Sequence, residues 1–239
     1  MKIKKIGIVG CGNIGAELAK VIREECKDRA EIFAVYDIDE EKAKKLGEYV
    51  PLNKLVKRCD IVVEAASPKA VKELLPMVEA RRKKIFVMST GGLIGEKIFK
   101  GVYFPSGAIA GLDGVSAVSR AKINKITLTT TKPEKSLGNT KYENDTIVFS
   151  GTVPEAVKAF PANINVCATL ALISKRQDLV MVQIIASPSI KRNVHEVEVE
   201  GDFGKIFCRM ENVPSPDNPK TSYLAILSAI DALKKILYG

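Results

Sequence analysis

Apolar residues in the first hundred positions form short, nearly continuous runs separated by segments with helical spacing. The runs predict four buried strands, at 4–9, 32–36, 61–65 and 85–89. Between them, apolar side chains that recur every three or four residues predict helices at 14–27, 39–49 and 68–80. Strands that are apolar on both faces and alternate with helices indicate a parallel sheet covered on both sides. We therefore expect a Rossmann-type, doubly wound α/β domain with its ligand crevice at the carboxyl ends of the strands.

The pattern changes after about residue 115. Alternating or β-branched segments predict strands at 125–131, 146–150, 179–186, 195–200 and 203–210. Helical spacing predicts helices at 154–160, 165–174 and 222–237, and three prolines predict a loop at 212–219. Strands that follow one another with few helices between them indicate a second, α+β domain with a largely antiparallel sheet. We place the dinucleotide-binding domain at 1–110 and the catalytic and oligomerisation domain at 111–219.

The turn after the first strand carries a complete G-x-G-x-x-G motif: Gly10, Cys11, Gly12, Asn13, Ile14 and Gly15. The first glycine permits a tight turn, the second leaves room for a pyrophosphate, and the third lets the helix pack closely on the strand. The pyrophosphate then meets the positive end of the helix. The motif is weak evidence by itself, but between a predicted strand and a predicted helix it indicates dinucleotide binding rather than a merely glycine-rich turn.

Asp37 ends the second predicted strand, 22 residues after Gly15. A carboxylate there accepts both ribose hydroxyls of an adenosine and repels a 2′-phosphate, so the cofactor is expected to be NAD. Two alternatives stay open. One is that Asp37 caps the following helix, and the other is that the lysines at 42, 44 and 45 allow NADP to bind.

Further candidates for cofactor or substrate contact lie at the ends of later elements. Gly91 follows the fourth predicted strand, and a run of small residues occupies 106–111; plain turn glycines are the alternative at both. Asn163 and Asn165 precede an apolar helix, where one of them is expected to be the N-cap. His195 is the single histidine and shares a strand face with two valines, which fits either a core residue or a general acid/base.

Composition narrows the classes of partner. The net charge of +9 is dispersed along the chain without interleaved aromatic residues, so we expect no nucleic-acid partner. No apolar run is long enough to span a membrane. Five scattered cysteines without a Cys-x-x-Cys pair, together with one histidine, predict no metal site and no disulfide framework. Reduced cysteines indicate a cytoplasmic protein.

Taken in order, several segments resemble the L-aspartate dehydrogenase family. They are the glycine motif, Ser89–Gly92, the Ser-Gly-Ala-Ile-Ala-Gly-Leu-Asp segment at 106–113, the Phe-Pro-Ala-Asn-Ile-Asn-Val-Cys-Ala-Thr-Leu segment at 160–170, and Asn193–Val197. The resemblance covers essentially the whole chain, and the Ser-Gly-Ala-Ile and Asn-x-Asn-Val segments are more specific than the glycine motif.

The resemblance implies that His195 is catalytic and that Ala108 and Asn165 contact the nicotinamide. It also implies oxidation of L-aspartate to iminoaspartate with NAD or NADP, a homodimer, and in some organisms a supply of iminoaspartate for NAD biosynthesis. By analogy with related dehydrogenases, the helix within 220–239 is expected to pack back on the first domain. The substrate's carboxylates need cations or amides, for which the expected candidates are Ser106, Asn163, Lys191, Arg192 and Asn193; solvated loop charge is the alternative for Lys191 and Arg192.

Other functions remain possible at this point. Another amino- or hydroxy-acid dehydrogenase of the same architecture is one, and an NAD-binding redox sensor without catalysis is another. Dihydrodipicolinate reductase would require a histidine pair, which this chain lacks. A semialdehyde dehydrogenase would require a nucleophilic cysteine with a partnering histidine, and Cys167 lies in an apolar helical run without such a signal.

Overall fold

A computed structural model describes residues 2–138, 140–160, 164–216 and 218–239. The chain divides into two compact units. The first unit comprises Met1–Pro105 and Ile226–Gly239, and the second comprises Ser106–Ala225. None of the helices in the described ranges has both the length and the apolar content that a membrane span requires.

The first unit contains a five-stranded parallel sheet with the order β2-β1-β3-β4-β5. Its strands are β1 (Lys4–Val9), β2 (Ala30–Tyr36), β3 (Ile61–Glu64), β4 (Lys84–Val87) and β5 (Val102–Tyr103). Its helices are α1 (Asn13–Glu25), α2 (Glu40–Leu46), α3 (Leu52–Arg58) and α4 (Pro68–Glu79). The strand order reverses between β1 and β3, which is the switch point where such sheets bind dinucleotides.

Local sequence explains where these elements begin and end. Asp39 caps α2 by accepting a hydrogen bond from the Lys42 N–H, and Gly47 ends the helix, so the helix expected to reach residue 49 is shorter. Ser67 caps α4 by accepting from the Ala70 N–H. Helix α3 and strand β5 were not expected from the sequence, because seven and two residues are too few for a clear period.

The C-terminal helix α8 (Tyr223–Tyr238) lies mostly in the first unit. Ala229, Leu233 and Leu237 join the same buried cluster as Leu18 and Ile22 of α1. The Tyr238 hydroxyl donates to the Glu25 carbonyl at 3.0 Å, and Lys234 forms an ion pair with the Glu25 carboxylate. Helices α1 and α8 therefore share one hydrophobic core.

The second unit contains a five-stranded mixed sheet with the order β10-β9-β6-β8-β7, in which only β6 and β8 are parallel. Its strands are β6 (Ile123–Pro133), β7 (Thr146–Thr152), β8 (Val180–Ser187), β9 (Asn193–Gly201) and β10 (Gly204–Asn212). Its helices are α5 (Leu112–Val118), α6 (Val153–Ala159) and α7 (Ile164–Ser174). The predicted fold class, a doubly wound parallel sheet with a second, largely antiparallel α+β part, is confirmed.

Helices α6 and α7 cover one face of this sheet. Ala156 and Cys167 from these helices line a small apolar cavity together with Leu128, Thr130 and Val182 of the sheet. The prediction of a loop over 212–219 is wrong, because β11 (Pro214–Ser215) pairs with β12 (Asn218–Ser222) in a short antiparallel ribbon. Prolines are compatible with such a ribbon because each of its strands has a free edge.

Candidate active site

The glycine turn joins β1 to α1 in the first unit, and each glycine has a different steric reason to be there. Gly10 has φ of +96°, and a Cβ at this position would lie 2.5 Å from the Ala65 carbonyl. A Cβ on Gly15 would lie 2.0 Å from the Gly10 carbonyl oxygen. A Cβ on Gly12 would meet nothing within 4 Å. The fold thus needs Gly10 and Gly15 for its own packing, while Gly12 keeps one side of the turn open.

The start of α1 fits a pyrophosphate. Gly12 is the N-cap and offers no side chain to the helix, and no acidic residue lies in the first turn, which begins with Asn13 and Ile14. A helix N-terminus without an acidic neighbour favours an anion through its backbone N–H groups and its dipole. These features, together with the space beside Gly12, suit the pyrophosphate of a dinucleotide.

Asp37 contacts the glycine turn directly. Its Oδ2 accepts a hydrogen bond from the Cys11 N–H at 2.7 Å, and its Oδ1 accepts from the Asp39 N–H at 2.9 Å. Asp39, rather than Asp37, caps α2, so the alternative interpretation of Asp37 as the cap is wrong. Asp37 therefore orders the turn and places a negative charge beside it.

A buried carboxylate that the sequence analysis missed lies at the end of β3. Glu64 is fully buried, and its Oε1 accepts from the Ala66 N–H at 2.8 Å, the Ser67 N–H at 2.9 Å and the Ser89 hydroxyl at 2.9 Å. Its Oε2 accepts from the Ser89 N–H at 3.0 Å. Burial raises the pKa of Glu64, against the opposing effect of these hydrogen bonds. Glu64 joins the segments that follow β3 and β4, at the carboxyl edge of the sheet.

Gly91 lies in a buried 3-10 turn, Thr90–Leu93, that follows β4 at the same edge. Its neighbour Gly92 packs against the start of α4, where a Cβ would lie 2.6 Å from the Pro68 carbonyl oxygen. Packing therefore accounts for Gly92. Gly91 remains a cofactor-contact prediction.

His195 lies on β9, an inner strand of the second unit's sheet, with 4% of its surface exposed. Its Nδ1 is 2.9 Å from the Thr130 Oγ1 on the neighbouring strand β6. Burial, and to a smaller extent the charge of Lys132, lowers the pKa of His195 to about 4. The imidazole is therefore neutral near pH 7, and a bond between Nδ1 and Thr130 fixes the ring's orientation and leaves Nε2 for another group.

Polar residues surround His195 on its face of the sheet. Lys132 follows Thr130 by two residues on β6 and is half-buried, and burial lowers its pKa. Asn193 precedes His195 by two residues and pairs in register with the buried Asn212 of β10. The Asn212 Nδ2 donates to the Ala108 carbonyl at 3.0 Å. Strand alternation places the side chains of Asn193, His195 and Asn212 on one face of the sheet, and Asn212 links that face to the Ala108 carbonyl.

The other predicted substrate and cofactor residues of the second unit differ in their exposure. Lys191 and Arg192 are exposed and precede β9. Asn165 is exposed as the second residue of α7 and is therefore not its N-cap. Ser106 is half-buried at the start of the second unit. Asn163 lies outside the described residues.

Thr130, Lys132 and Asn212 were not predicted. The signal available for the first two was the position of polar side chains on the same strand phase as the apolar Ile126 and Leu128. Polar residues at the alternate strand positions that are otherwise apolar indicate side chains on the covered face of the sheet.

Comparison with known proteins identifies the family of the chain. Residues 10–101 match the family model described as the NAD-binding domain of homoserine dehydrogenase, and residues 113–236 match the model described as the C-terminal domain of aspartate dehydrogenase. L-aspartate dehydrogenase of Methanosarcina barkeri is 42% identical, covering 98% of this chain and 97% of its own length. The chain belongs to the L-aspartate dehydrogenase family. The family resemblance expected from the sequence is therefore confirmed.

Other members of the family give the same result. L-aspartate dehydrogenase of Nitrosopumilus maritimus is 39% identical, covering 98% of this chain and 96% of its own length. The crystal structure of aspartate dehydrogenase from Thermotoga maritima superposes with a TM-score of 0.76 at 29% identity, covering 98% of this chain and 97% of that chain. The predictions of an oxidoreductase and of NAD(P) as cofactor are confirmed by these matches.

Cys167, the cysteine considered as a nucleophile in the sequence, lies in a buried environment. Burial raises the pKa of Cys167 to about 11, so its thiol is protonated near pH 7 and is a poor nucleophile. In the part of the chain that the structure describes, no three His, Cys, Asp or Glu side chains are grouped so that they could hold a metal ion.

Proposed function

We propose that the chain oxidises L-aspartate to iminoaspartate with NAD or NADP, which fits the name L-aspartate dehydrogenase that its relatives carry. The observation that carries the proposal is the neutral, oriented imidazole of His195 in a chain that belongs to this family throughout its length. The proposal assigns cofactor binding to Gly10, Gly12, Asn13, Ile14, Gly15, Asp37, Gly91, Ala108 and Asn165. It retains Ser106, Asn163, Lys191, Arg192 and Asn193 as substrate candidates.

His195 is the side chain to which we assign the proton transfer. When bound, NAD(P) supplies the acceptor for the hydride that leaves Cα of the substrate. The substrate's ammonium must also lose one proton, because loss of a hydride and a proton together leaves the protonated imine. A neutral imidazole whose Nδ1 is bound to Thr130 accepts that proton at Nε2. Water then adds to released iminoaspartate and yields oxaloacetate and ammonium.

The decisive experiment measures NADH formation from NAD with a panel of amino acids and hydroxy acids. We expect turnover with L-aspartate, a loss of about 10²-fold or more in kcat for His195→Ala, and nearly unchanged NADH binding. Glu196→Ala is the matched control, because Glu196 is the next residue on β9 and pairs with Arg209 on the opposite face. Binding of NADH without turnover of any substrate would identify a redox sensor instead, and turnover of a different acid would identify a related dehydrogenase.

Asp37 supports a preference for NAD over NADP. Its negative charge lies at the glycine turn, while the ion pairs of Lys44 with Glu40 and Glu41 leave that lysine's charge locally balanced. We expect Asp37→Ser to lower the ratio of kcat/KM for NAD to that for NADP. An unchanged ratio would assign Asp37 to the turn's structure alone.

We also propose a homodimer in the cytoplasm that supplies iminoaspartate for NAD biosynthesis. The sheet face opposite His195 carries the exposed apolar side chains of Ile147, Met181 and Phe207, which a second copy would cover. All five cysteines are free, as a reducing compartment favours. Light scattering should give twice the chain's mass, and Phe207→Lys should give the monomer; a monomeric wild type would contradict the dimer.

A further inference from the structure

The face of the second sheet that carries His195 also carries a cation with no assigned role, Lys132. Lys132 lies two residues beyond Thr130 on β6, and Thr130 is opposite His195 in the register. The register of β6 with β8 is unbroken from Ile126 to Pro133, so strand alternation places Lys132 on the same face as Thr130 and His195. The charge of Lys132 is close enough to influence the imidazole.

Lys132 lies on the face of the sheet that helices α6 and α7 cover, whereas Lys125 and Lys205 lie on the opposite, more exposed face. Lys132 is half-buried, and burial lowers its pKa. Keeping an ammonium in a partly desolvated position costs free energy, which an anionic ligand at that position would offset.

A dicarboxylic amino acid as substrate, which rests on the proposed function, needs a second charged contact near His195. L-aspartate carries two carboxylates within a few bonds of the amino group that His195 would deprotonate. A side chain that binds one of them must therefore lie close to His195. The exposed Lys191 and Arg192 precede β9 and are not on its regular face, whereas Lys132 is held on the same face of the sheet as the histidine.

We propose that Lys132 binds a carboxylate of the dicarboxylic amino acid substrate and so selects a dicarboxylate over a neutral amino acid. Asn193 and Asn212 lie on the same face of the sheet and carry neutral amide groups. Lys132 is in this sense a specificity-determining residue, separate from the proton transfer at His195.

Lys132→Met removes the positive charge with little change in side-chain length. Lys132→Arg retains the charge. A charge-assisted hydrogen bond contributes about 1.5–3 kcal/mol, which corresponds to a factor of roughly 10–150 in affinity. We expect Lys132→Met to raise KM for L-aspartate by about that factor, with a smaller change in kcat and with NADH affinity unchanged. Lys132→Arg should recover most of the loss, and Lys205→Met, on the opposite face, should behave as the wild type.

Binding of succinate, a dicarboxylate without the amino group, provides a readout independent of turnover. Calorimetry in the presence of NADH should show succinate binding to the wild type and a similarly weakened affinity in Lys132→Met. Thermal melting checks that the variant folds, and Lys132→Gln replaces it if the methionine variant does not. An active wild type with unchanged KM and succinate affinity in the variant would overturn the inference and leave the proposed function intact. A wild type inactive on aspartate whose succinate binding depends on Lys132 would contradict the function and support the dicarboxylate site.

Discussion

Replacing the buried carboxylate of Glu64 tests how the carboxyl edge of the first sheet is held together. Glu64→Leu removes the acceptor of four hydrogen bonds, three of which come from the backbone N–H groups of Ala66, Ser67 and Ser89. The Ser89 hydroxyl can rotate to another partner, but the N–H groups cannot. Each buried N–H left without an acceptor costs about 1–3 kcal/mol. Since removal of a buried carboxylate offsets part of this, we expect a net loss of about 3 kcal/mol or more in unfolding free energy.

Urea unfolding followed by far-UV circular dichroism measures this loss. Glu31→Leu is the matched control, because Glu31 is an exposed residue on β2 of the same sheet and its replacement should change stability by less than about 0.5 kcal/mol. A Glu64→Leu variant within about 1 kcal/mol of the wild type would refute the reasoning, because it would mean that the three N–H groups find other acceptors.

Glu64→Gln separates charge from hydrogen bonding. The raised pKa of Glu64 means that the native state holds this proton more tightly than the unfolded state does. The contribution of Glu64 to the free energy of unfolding is therefore fully present below the ordinary glutamate pKa of about 4.5. It declines as pH rises through the raised pKa that Glu64 has in the folded state. The stability advantage of the wild type over Glu64→Gln should shrink as pH rises across that window. An advantage that grows with pH would show that the backbone N–H groups outweigh burial.

Three further predictions follow from the packing and the protonation states. Gly15→Ala should destabilise the first unit strongly, since its Cβ would lie 2.0 Å from a carbonyl oxygen. Gly12→Ala should keep the melting temperature of the wild type but weaken NADH binding in calorimetry. Equal melting temperatures for the two variants would contradict the steric argument. Because burial lowers the pKa of His195 to about 4, the free energy of unfolding should fall by up to about 3 kcal/mol as pH drops from 6.5 to 4. In pH-dependent urea titrations, His195→Gln should abolish that part of the acid sensitivity. An unchanged dependence of unfolding free energy on pH in the variant would show that the histidine becomes protonated without cost. Leu233→Ala should cost about 2–5 kcal/mol in the same unfolding measurement, and a loss below 1 kcal/mol would mean that α8 contributes little to the core.

Elements with a strong period were predictable, and cross-strand neighbours were not. The apolar run at β1, the glycine turn and the helical stripe of α8 each carry their signal within a few consecutive residues. The contact between Thr130 and His195 depends on the register of β6 against β9, whose residues are 65 positions apart. Sequence periodicity gives the face of a residue but not its partner on the next strand.

Glu64 shows a different limit of sequence reasoning. It ends a four-residue strand whose other members are isoleucine and valines, and a single carboxylate there is compatible with an exposed strand end. Only the positions of the following backbone N–H groups show that it is enclosed. The ribbon formed by β11 and β12 was missed for a related reason, since prolines indicate a turn without showing what pairs on either side of it.

The return of the last helix to the first core has a consequence for synthesis. The ribosome completes strands β1–β5 more than a hundred residues before it releases Ala229, Leu233 and Leu237, which fill the same cluster as Leu18 and Ile22. Until then the nascent first unit exposes an apolar surface, and a chain truncated before α8 exposes it permanently. The first core can therefore close only after α8 has been synthesised, so folding of the first unit waits for a segment that is translated after the second unit.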